Sequence, residues 1–373
     1  MYQATKLLLL AVFLLVSCTL QKHSTIPTSK KEGAVANISH ATNLLLERQK
    51  MSSNKVLLLL PLSGPHREIG NNILKACLLS ANEFHNSKIS FYVIDTANSS
   101  LDKYALYEKF NGENLKAILG PIFFYEAKQF GALFPNTPIF TFSNNLDVNN
   151  AHVFSCGISP LDEIRTIFAY VKKHKLYDFL FLLPENELGD QLQQYINQEA
   201  SKSHFNDLGE IEIVRYRSIS SQNVRKFIKN SKKKAVFLID PVVNPRDFTN
   251  IHVFTLSSSV FANQELWHGA YFAFSNEHHL QKFKDKYQRI YGNTPGILEA
   301  IGYDICNFLY DIILCEIPED FFCSKHEGCL GAFFIKKNSG LKRKLFVRQL
   351  NNATDSDDDN QENDVNDDDG DIE

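Results

Sequence analysis

Val56-Leu57-Leu58-Leu59-Leu60-Pro61-Leu62-Ser63-Gly64-Pro65 opens the regular part of this 373-residue sequence. Five consecutive apolar residues have the length of a strand buried on both faces, and Pro61 and Gly64 end it. Next, Ile69, Ile73, Ala76, Cys77, Ser80 and Phe84 recur at steps of three and four, the apolar stripe of a helix. The alternation continues with strands over 89–94, 117–119, 139–142 and 153–157 and helices over 101–110 and 126–134. It restarts after Pro160 with helices over 161–174, 191–200 and 224–229 and strands over 179–183, 211–216, 235–239 and 252–256. Two long helices follow, over 279–291 and 298–314. Segments 331–335 and 345–350, separated by a turn containing Asn338-Ser339-Gly340, read as a closing hairpin. Apolar strands alternating with amphipathic helices predict an α/β protein of two lobes, each a mainly parallel sheet flanked by helices.

Outside this body the composition changes. Lys6 precedes an apolar run over 7–16 that ends in Leu15-Val16-Ser17-Cys18. A short basic start, a short apolar run and a small residue before the cut describe a secretory signal peptide over 1–18. The run is shorter than the roughly 20 residues a helix needs to span a bilayer. Its last four residues resemble a bacterial lipobox, which predicts acylation of Cys18, a periplasmic body and attachment through lipid to a membrane, expected to be the outer one. Residues 19–53 are rich in Ser, Thr, Lys and Asn and read as a tether. Residues 355–373 hold nine Asp and two Glu with no Lys or Arg, a charge of −11. Against a total of −4, the remainder therefore carries +7. With almost no apolar content, 351–373 is expected to be a disordered acidic tail. Its fragment Asp364–Gly370 lacks the glycine position and the closing Glu of a calcium loop.

The opening Leu-Pro-Leu-Ser-Gly-Pro, with Ile69-Gly70 behind it, resembles the type I periplasmic-binding-protein superfamily and its leucine-binding branch. Ala117-Ile118-Leu119-Gly120-Pro121, Pro138-Ile139-Phe140-Thr141-Phe142-Ser143-Asn144, Gly269-Ala270-Tyr271-Phe272-Ala273 and Gly302-Tyr303-Asp304 follow in the order of that fold. Within the superfamily the chain is similar to the penicillin-binding-protein activator lipoproteins, the group related to the C-terminal domain of the outer-membrane activator LpoA. The likeness rests on the opening motif, on Phe142-Ser143-Asn144, on Gly328-Cys329-Leu330-Gly331-Ala332-Phe333 and on the lipobox. It implies a first lobe over 54–157 and 275–327 and a second over 158–274 and 328–350. It also implies a non-catalytic regulator that binds and activates a peptidoglycan synthase. The alternative is a receptor for branched-chain amino acids or a similar small ligand, serving an ABC transporter.

Cleft candidates are Ser63, Gly64, Phe124, Tyr125, Ser143, Asn144, Glu185 and Tyr303. A receptor holds a ligand carboxylate with small hydroxyl side chains and free N–H groups at helix N-termini. After Gly120-Pro121 this chain instead offers Ile122-Phe123-Phe124-Tyr125, which would crowd the cleft; Ser143-Asn144-Asn145 keeps a polar rim. Leu188-Gly189-Asp190 stands where such receptors often present an aromatic before glycine. Glu185 and Glu187 suit either a cleft wall or an exposed loop, and Tyr303 either a ligand contact or a helix anchor.

No Gly-x-Ser-x-Gly, His-Glu-x-x-His or Gly-x-x-x-x-Gly-Lys pattern occurs, so neither an enzyme, a metal site nor a cofactor is expected. Cys323 and Cys329 are placed for a local disulfide or as free thiols, while His326 between them lacks a fourth metal ligand. Cys77, Cys156, Cys306 and Cys315 read as small core residues. Lys232-Lys233-Lys234 and Lys342-Arg343-Lys344 read as exposed basic patches, suited to an anionic polymer or an acidic partner; an exported chain does not meet nucleic acid. The Cys18 reading has a direct check. Labelled fatty acid should enter the wild type and not Cys18→Ala, and equal labelling of both would end the claim.

Overall fold

The structure, a computed structural model, describes residues 54–350 apart from 85–88, 112–113, 177, 203–208, 219, 232, 249, 276 and 315–323. Signal peptide, tether, tail, Cys18, Cys315 and Cys323 lie outside the described residues.

The first sheet has the order β2-β1-β3-β4-β5, all parallel, from β1 (Asn54–Leu60), β2 (Ile89–Asp95), β3 (Leu115–Leu119), β4 (Ile139–Thr141) and β5 (Val153–Ser155). The pleat sends alternate residues of β1 to opposite faces. Leu57 and Leu59 meet Phe110 and Phe130 of helices α2 (Lys103–Phe110) and α3 (Phe124–Leu133). Val56, Leu58 and Leu60 meet Ile73 and Cys77 of α1 (Arg67–Glu83) on the other face. All five are buried, each contributing roughly 1.5–3 kcal/mol of transfer free energy. That two-sided burial is why the run is continuous rather than alternating.

The second sheet repeats the plan. It contains β6 (Phe179–Pro184), β7 (Ile211–Tyr216), β8 (Ala235–Leu238), β9 (His252–Thr255), β10 (Tyr271–Phe274) and β14 (Phe346–Gln349), in the order β14-β10-β9-β8-β6-β7. Only β14 is antiparallel to its neighbour. Phe179, Phe181 and Leu183 face α4 (Pro160–Lys173), while Leu180 and Leu182 face the side of α6 (Ser221–Ser231). Helix α5 (Glu187–Lys202) follows β6 as α1 follows β1. Both helices carry in their first turn a glycine pressed against the end of the strand before it. A Cβ at Gly70 would stand 2.1 Å from the Pro61 carbonyl oxygen, and one at Gly189 would stand 1.9 Å from that of Pro184.

The chain leaves the first sheet after β5 and enters the second through α4. After β9 comes the short α7 (Ser257–Ala262), and after β10 the chain returns through α8 (Glu277–Tyr291) and α9 (Ile297–Leu314), which packs along α1. The C-terminal part departs from the expected hairpin. Strand β12 (Gly331–Lys336) pairs with β11 (His326–Gly328) and with β13 (Gly340–Arg343) in a small antiparallel sheet beside β5 and α9. Only β14 joins the second sheet, so the last crossing follows Arg343 rather than Gly328. The turn around Asn338, at φ 60°, and Gly340, at φ 73°, is the expected one, but its second arm is 340–343.

Asp304 of α9 fixes this small sheet. Its carboxylate accepts the N–H groups of Cys329 (2.6 Å) and Leu330 (3.3 Å). Arg343 Nη1 stands 3.0 Å from its Oδ2, with the two side chains 3% and 0% exposed. The guanidinium also lies over the Phe333 ring. The Arg343 nitrogens have no aligned hydrogen bond, so the contact is one of charge. Asp304→Ala should lower stability by roughly 3–5 kcal/mol, because it strands a buried cation and two backbone donors. Adding Arg343→Met should recover part of that loss. Denaturant titration measures both, and a loss below about 1 kcal/mol for Asp304→Ala would refute the account.

Candidate functional site

In open parallel sheets the crevice forms at the carboxyl ends of the strands, where neighbouring connections leave in opposite directions. In the first sheet that point lies between β1 and β3, and in the second between β6 and β8. The turns concerned are 61–66 and 120–124 on one wall, 184–187 and 239–244 on the other.

On the first wall, Asp95 at the end of β2 organises the Leu-Ser-Gly turn. Its Oδ1 accepts the N–H groups of Leu62 (2.8 Å), Ala97 (3.0 Å) and Ser63 (3.3 Å). Burial opposes its charge, but these bonds and one from the Ser63 hydroxyl outweigh burial and hold the carboxyl below its ordinary range. Ser63 is thus a turn former, and Gly64, at φ 67°, starts the 3-10 turn Gly64–His66. Sequence reading missed Asp95, although an acid closing Ile94-Asp95-Thr96 at a strand end was the available signal.

The aromatic turn divides its side chains. Phe123 lies across the β1/β3 opening with its ring 4.9 Å from that of His66. Phe124 packs on the α2–α3 core beneath Lys128, whose ammonium lies 4.4 Å from the ring centroid. Tyr125 is 64% exposed. Phe123, outside the candidate set, is therefore the residue that occupies the opening. Beyond it, Ser143 is buried and its Oγ accepts the Asn145 N–H at 3.2 Å. Its N–H donates to Thr141 Oγ1, which donates to the Pro121 carbonyl. Asn144 is exposed, with Gly157 of the first crossing packed on its backbone.

The second wall is charged. Glu185 pairs with Arg217 at 2.7 Å, and its N–H donates to the Tyr216 carbonyl. The Tyr216 hydroxyl donates to Asp240. Tyr303 is not brought to this crevice. Its hydroxyl donates to both oxygens of Glu83 (2.8 and 3.0 Å) at the far end of α1, where Glu83 also pairs with Lys286.

Other expected features resolve differently. Cys329 is a buried free thiol directed at the Ala300 carbonyl, while Cys323, its candidate bridging partner, lies outside the described residues. Burial, reinforced by Asp304, pushes that thiol well up. Cys77, Cys156 and Cys306 are buried free thiols. Among the described residues, each basic run is exposed only in part, at Lys234 and at Lys344. Lys233 is buried beside Glu210 (3.4 Å) and Glu212 (3.7 Å), Lys342 pairs with Asp162 at 2.9 Å, and Arg343 is enclosed. No described cluster of three or more His, Cys, Asp or Glu could hold a metal ion. A groove of about 500 Å³ lies outside the crevice, on the first lobe near Pro135, Asp147 and His152.

One buried acid was also missed. Glu163, four residues before Ile167 on the buried stripe of α4, is 2% exposed and accepts the Ser257 N–H at 2.6 Å. Burial is the chief cause pushing its carboxyl up to about 8. Between its unfolded value near 4.5 and about 8, the folded state holds a proton that the unfolded state has lost. Stability therefore falls as pH rises through that window. Glu163→Gln should match the wild type near pH 4 and become progressively more stable than it up to about pH 8, by a few kcal/mol on the scale of about 1.4 kcal/mol per unit. Thermal melts across pH measure this, and a pH-independent difference would contradict it.

Comparison with known proteins places the architecture. The C-domain of LpoA (YraM) from Haemophilus influenzae, a regulator of PBP1A, is 17% identical with a TM-score of 0.61, covering 80% of this chain and 98% of that one. A branched-chain amino acid ABC transporter periplasmic ligand-binding protein from Burkholderia xenovorans is 13% identical with a TM-score of 0.67, covering 82% and 92%. A solute-binding protein from Rhodopseudomonas palustris, in complex with 3,4-dihydroxybenzoic acid, is 15% identical with a TM-score of 0.59, covering 79% and 92%. A search of curated proteins gives no match. At these identities the likeness shows the fold, the two-lobed type I periplasmic-binding-protein fold. The family described as "LppC putative lipoprotein" matches residues 24–235, more than half of the sequence. The chain belongs to the LppC lipoprotein family.

Proposed function

We propose that this protein is a lipid-anchored periplasmic regulator, held at the outer membrane through Cys18, that binds and activates a peptidoglycan synthase. The observation that carries the reading is the β1/β3 turn. The N-terminus of α3 is where a receptor would offer hydroxyls to a ligand carboxylate, and this chain places Phe123 against His66 there. A crevice so furnished suits a scaffold whose outer surface meets a protein better than a trap for amino acids. Family membership and the likeness to a regulator of PBP1A support the same direction.

The second reading is a solute receptor, favoured by the equally close likeness to ABC-transporter binding proteins and by the polar second wall. A ligand at about 100 times its dissociation constant would stabilise the fold by about 2.7 kcal/mol. Leucine, isoleucine and valine should give no such shift in melting temperature, and the tethered protein should retain a penicillin-binding synthase from envelope extract. A strong leucine-dependent shift with no synthase recovered would overturn the regulator in favour of the receptor.

A further inference from the structure

The body over 54–350 carries +3 and the segment 355–373 carries −11, and the fold determines where these charges can meet. Strand β14 runs antiparallel to β10, so the chain leaves the body at the amino ends of the parallel strands, opposite the crevice. Leu350 is pinned there. Its N–H donates to Ala270 O at 2.8 Å, and its carbonyl accepts the Gly269 N–H at 2.7 Å.

The same end of the lobe is basic. Helix α4 finishes with Lys172 and Lys173, followed by His174 and Lys175, all four exposed. Lys234, just before β8, is exposed as well, and its carbonyl accepts the N–H of His252. A line of rings connects this cluster to the exit. His174 lies on Tyr170 (4.0 Å), Tyr170 beside Tyr271 (6.1 Å), and Tyr271 beside His252 (4.8 Å), while Tyr271 is the register partner of Gln349. Among the described residues, no acid forms an ion pair with Lys172, Lys173, Lys175 or Lys234. Asp178, Glu210 and Glu212 sit at the β6–β7 side, and the latter two pair with Lys233. Nearer the exit, Asp247 pairs with Arg225, and Glu265, exposed, stands in the turn before β10.

We propose that the acidic segment 355–373 docks on this chain's own basic face, formed by Lys172, Lys173, His174, Lys175 and Lys234 around the exit of β14. Four residues separate Leu350 from Asp355, five steps along the chain and a reach of about 17 Å when extended. Tethering at that distance gives an effective concentration on the order of millimolar, so weak individual pairs suffice to keep the segment close. Because exposed pairs contribute little each, the docking is electrostatic, many-to-many and salt-sensitive, and it adds little to folding stability. It neutralises the face that a passing polyanion would otherwise find.

Two measurements on the full chain test this. Carbodiimide should join tail carboxyls to Lys172, Lys173, Lys175 and Lys234 in a yield unaffected by dilution. Those four lysines should also acetylate about three-fold more slowly than in a chain ending at residue 354, because tail carboxylates beside them hold the unreactive ammonium form. The difference should vanish at about 1 M salt, where the Debye length falls to about 3 Å. Lys103 and Lys128 of the first lobe serve as internal references. Equal acetylation in both chains, or cross-links to those reference lysines in equal yield, would overturn the proposal.

Discussion

Much of this architecture hangs on one carboxylate. Asp304 projects from the middle of α9 into the base of the small antiparallel sheet and holds two backbone donors and the Arg343 guanidinium together. The pair is enclosed, so its charges are worth keeping only as a set. Through Arg343 it fixes the last residue before the chain crosses to β14. The neighbouring Lys342 reaches back to Asp162 in the first turn of α4, tying the last crossing to the first. Two adjacent residues of one strand thus serve opposite sides of the lobe junction, as the pleat requires.

The same pleat explains what sequence reading recovered and what it misread. Val56 to Leu60 is unambiguous because a strand covered on both faces has no polar positions to confuse it. The β6 run reads equally well for the same reason. Lys342-Arg343-Lys344 looked like a surface patch because adjacency in sequence was taken for adjacency in space; in a strand, alternate side chains part company. Lys233 misled similarly, its stem buried and its head reaching the acids of β7. The closing hairpin failed on partner choice. Residues 340–343 and 346–349 both have strand character, and periodicity alone does not say which one β12 takes.

At the crevice, the legible part was the backbone and the illegible part was the side-chain company. The turns over 61–66, 120–124 and 143–145 were all located from Gly, Pro and Ser signals. That Ser63 answers to Asp95, that Phe123 rather than Phe124 or Tyr125 spans the opening, and that Tyr303 bonds to Glu83 at the distant end of α1 depends on tertiary packing. Glu163 is the instructive omission. A charged residue on an apolar stripe was readable as an anomaly, but its partner, the Ser257 N–H, comes from 94 residues downstream.

The paired glycines at the starts of α1 and α5 have an electrostatic consequence. By letting each helix press against its strand, Gly70 and Gly189 bring two positive helix ends to the crevice. Each end already has a resident counter-charge. Glu68 lies in the first turn of α1, Glu187 lies in that of α5, where Asp190 is already paired with Arg215, and Glu126 lies in that of α3. The crevice field is therefore largely spent on the protein's own carboxylates, leaving an incoming anion to compete with acids covalently fixed in place.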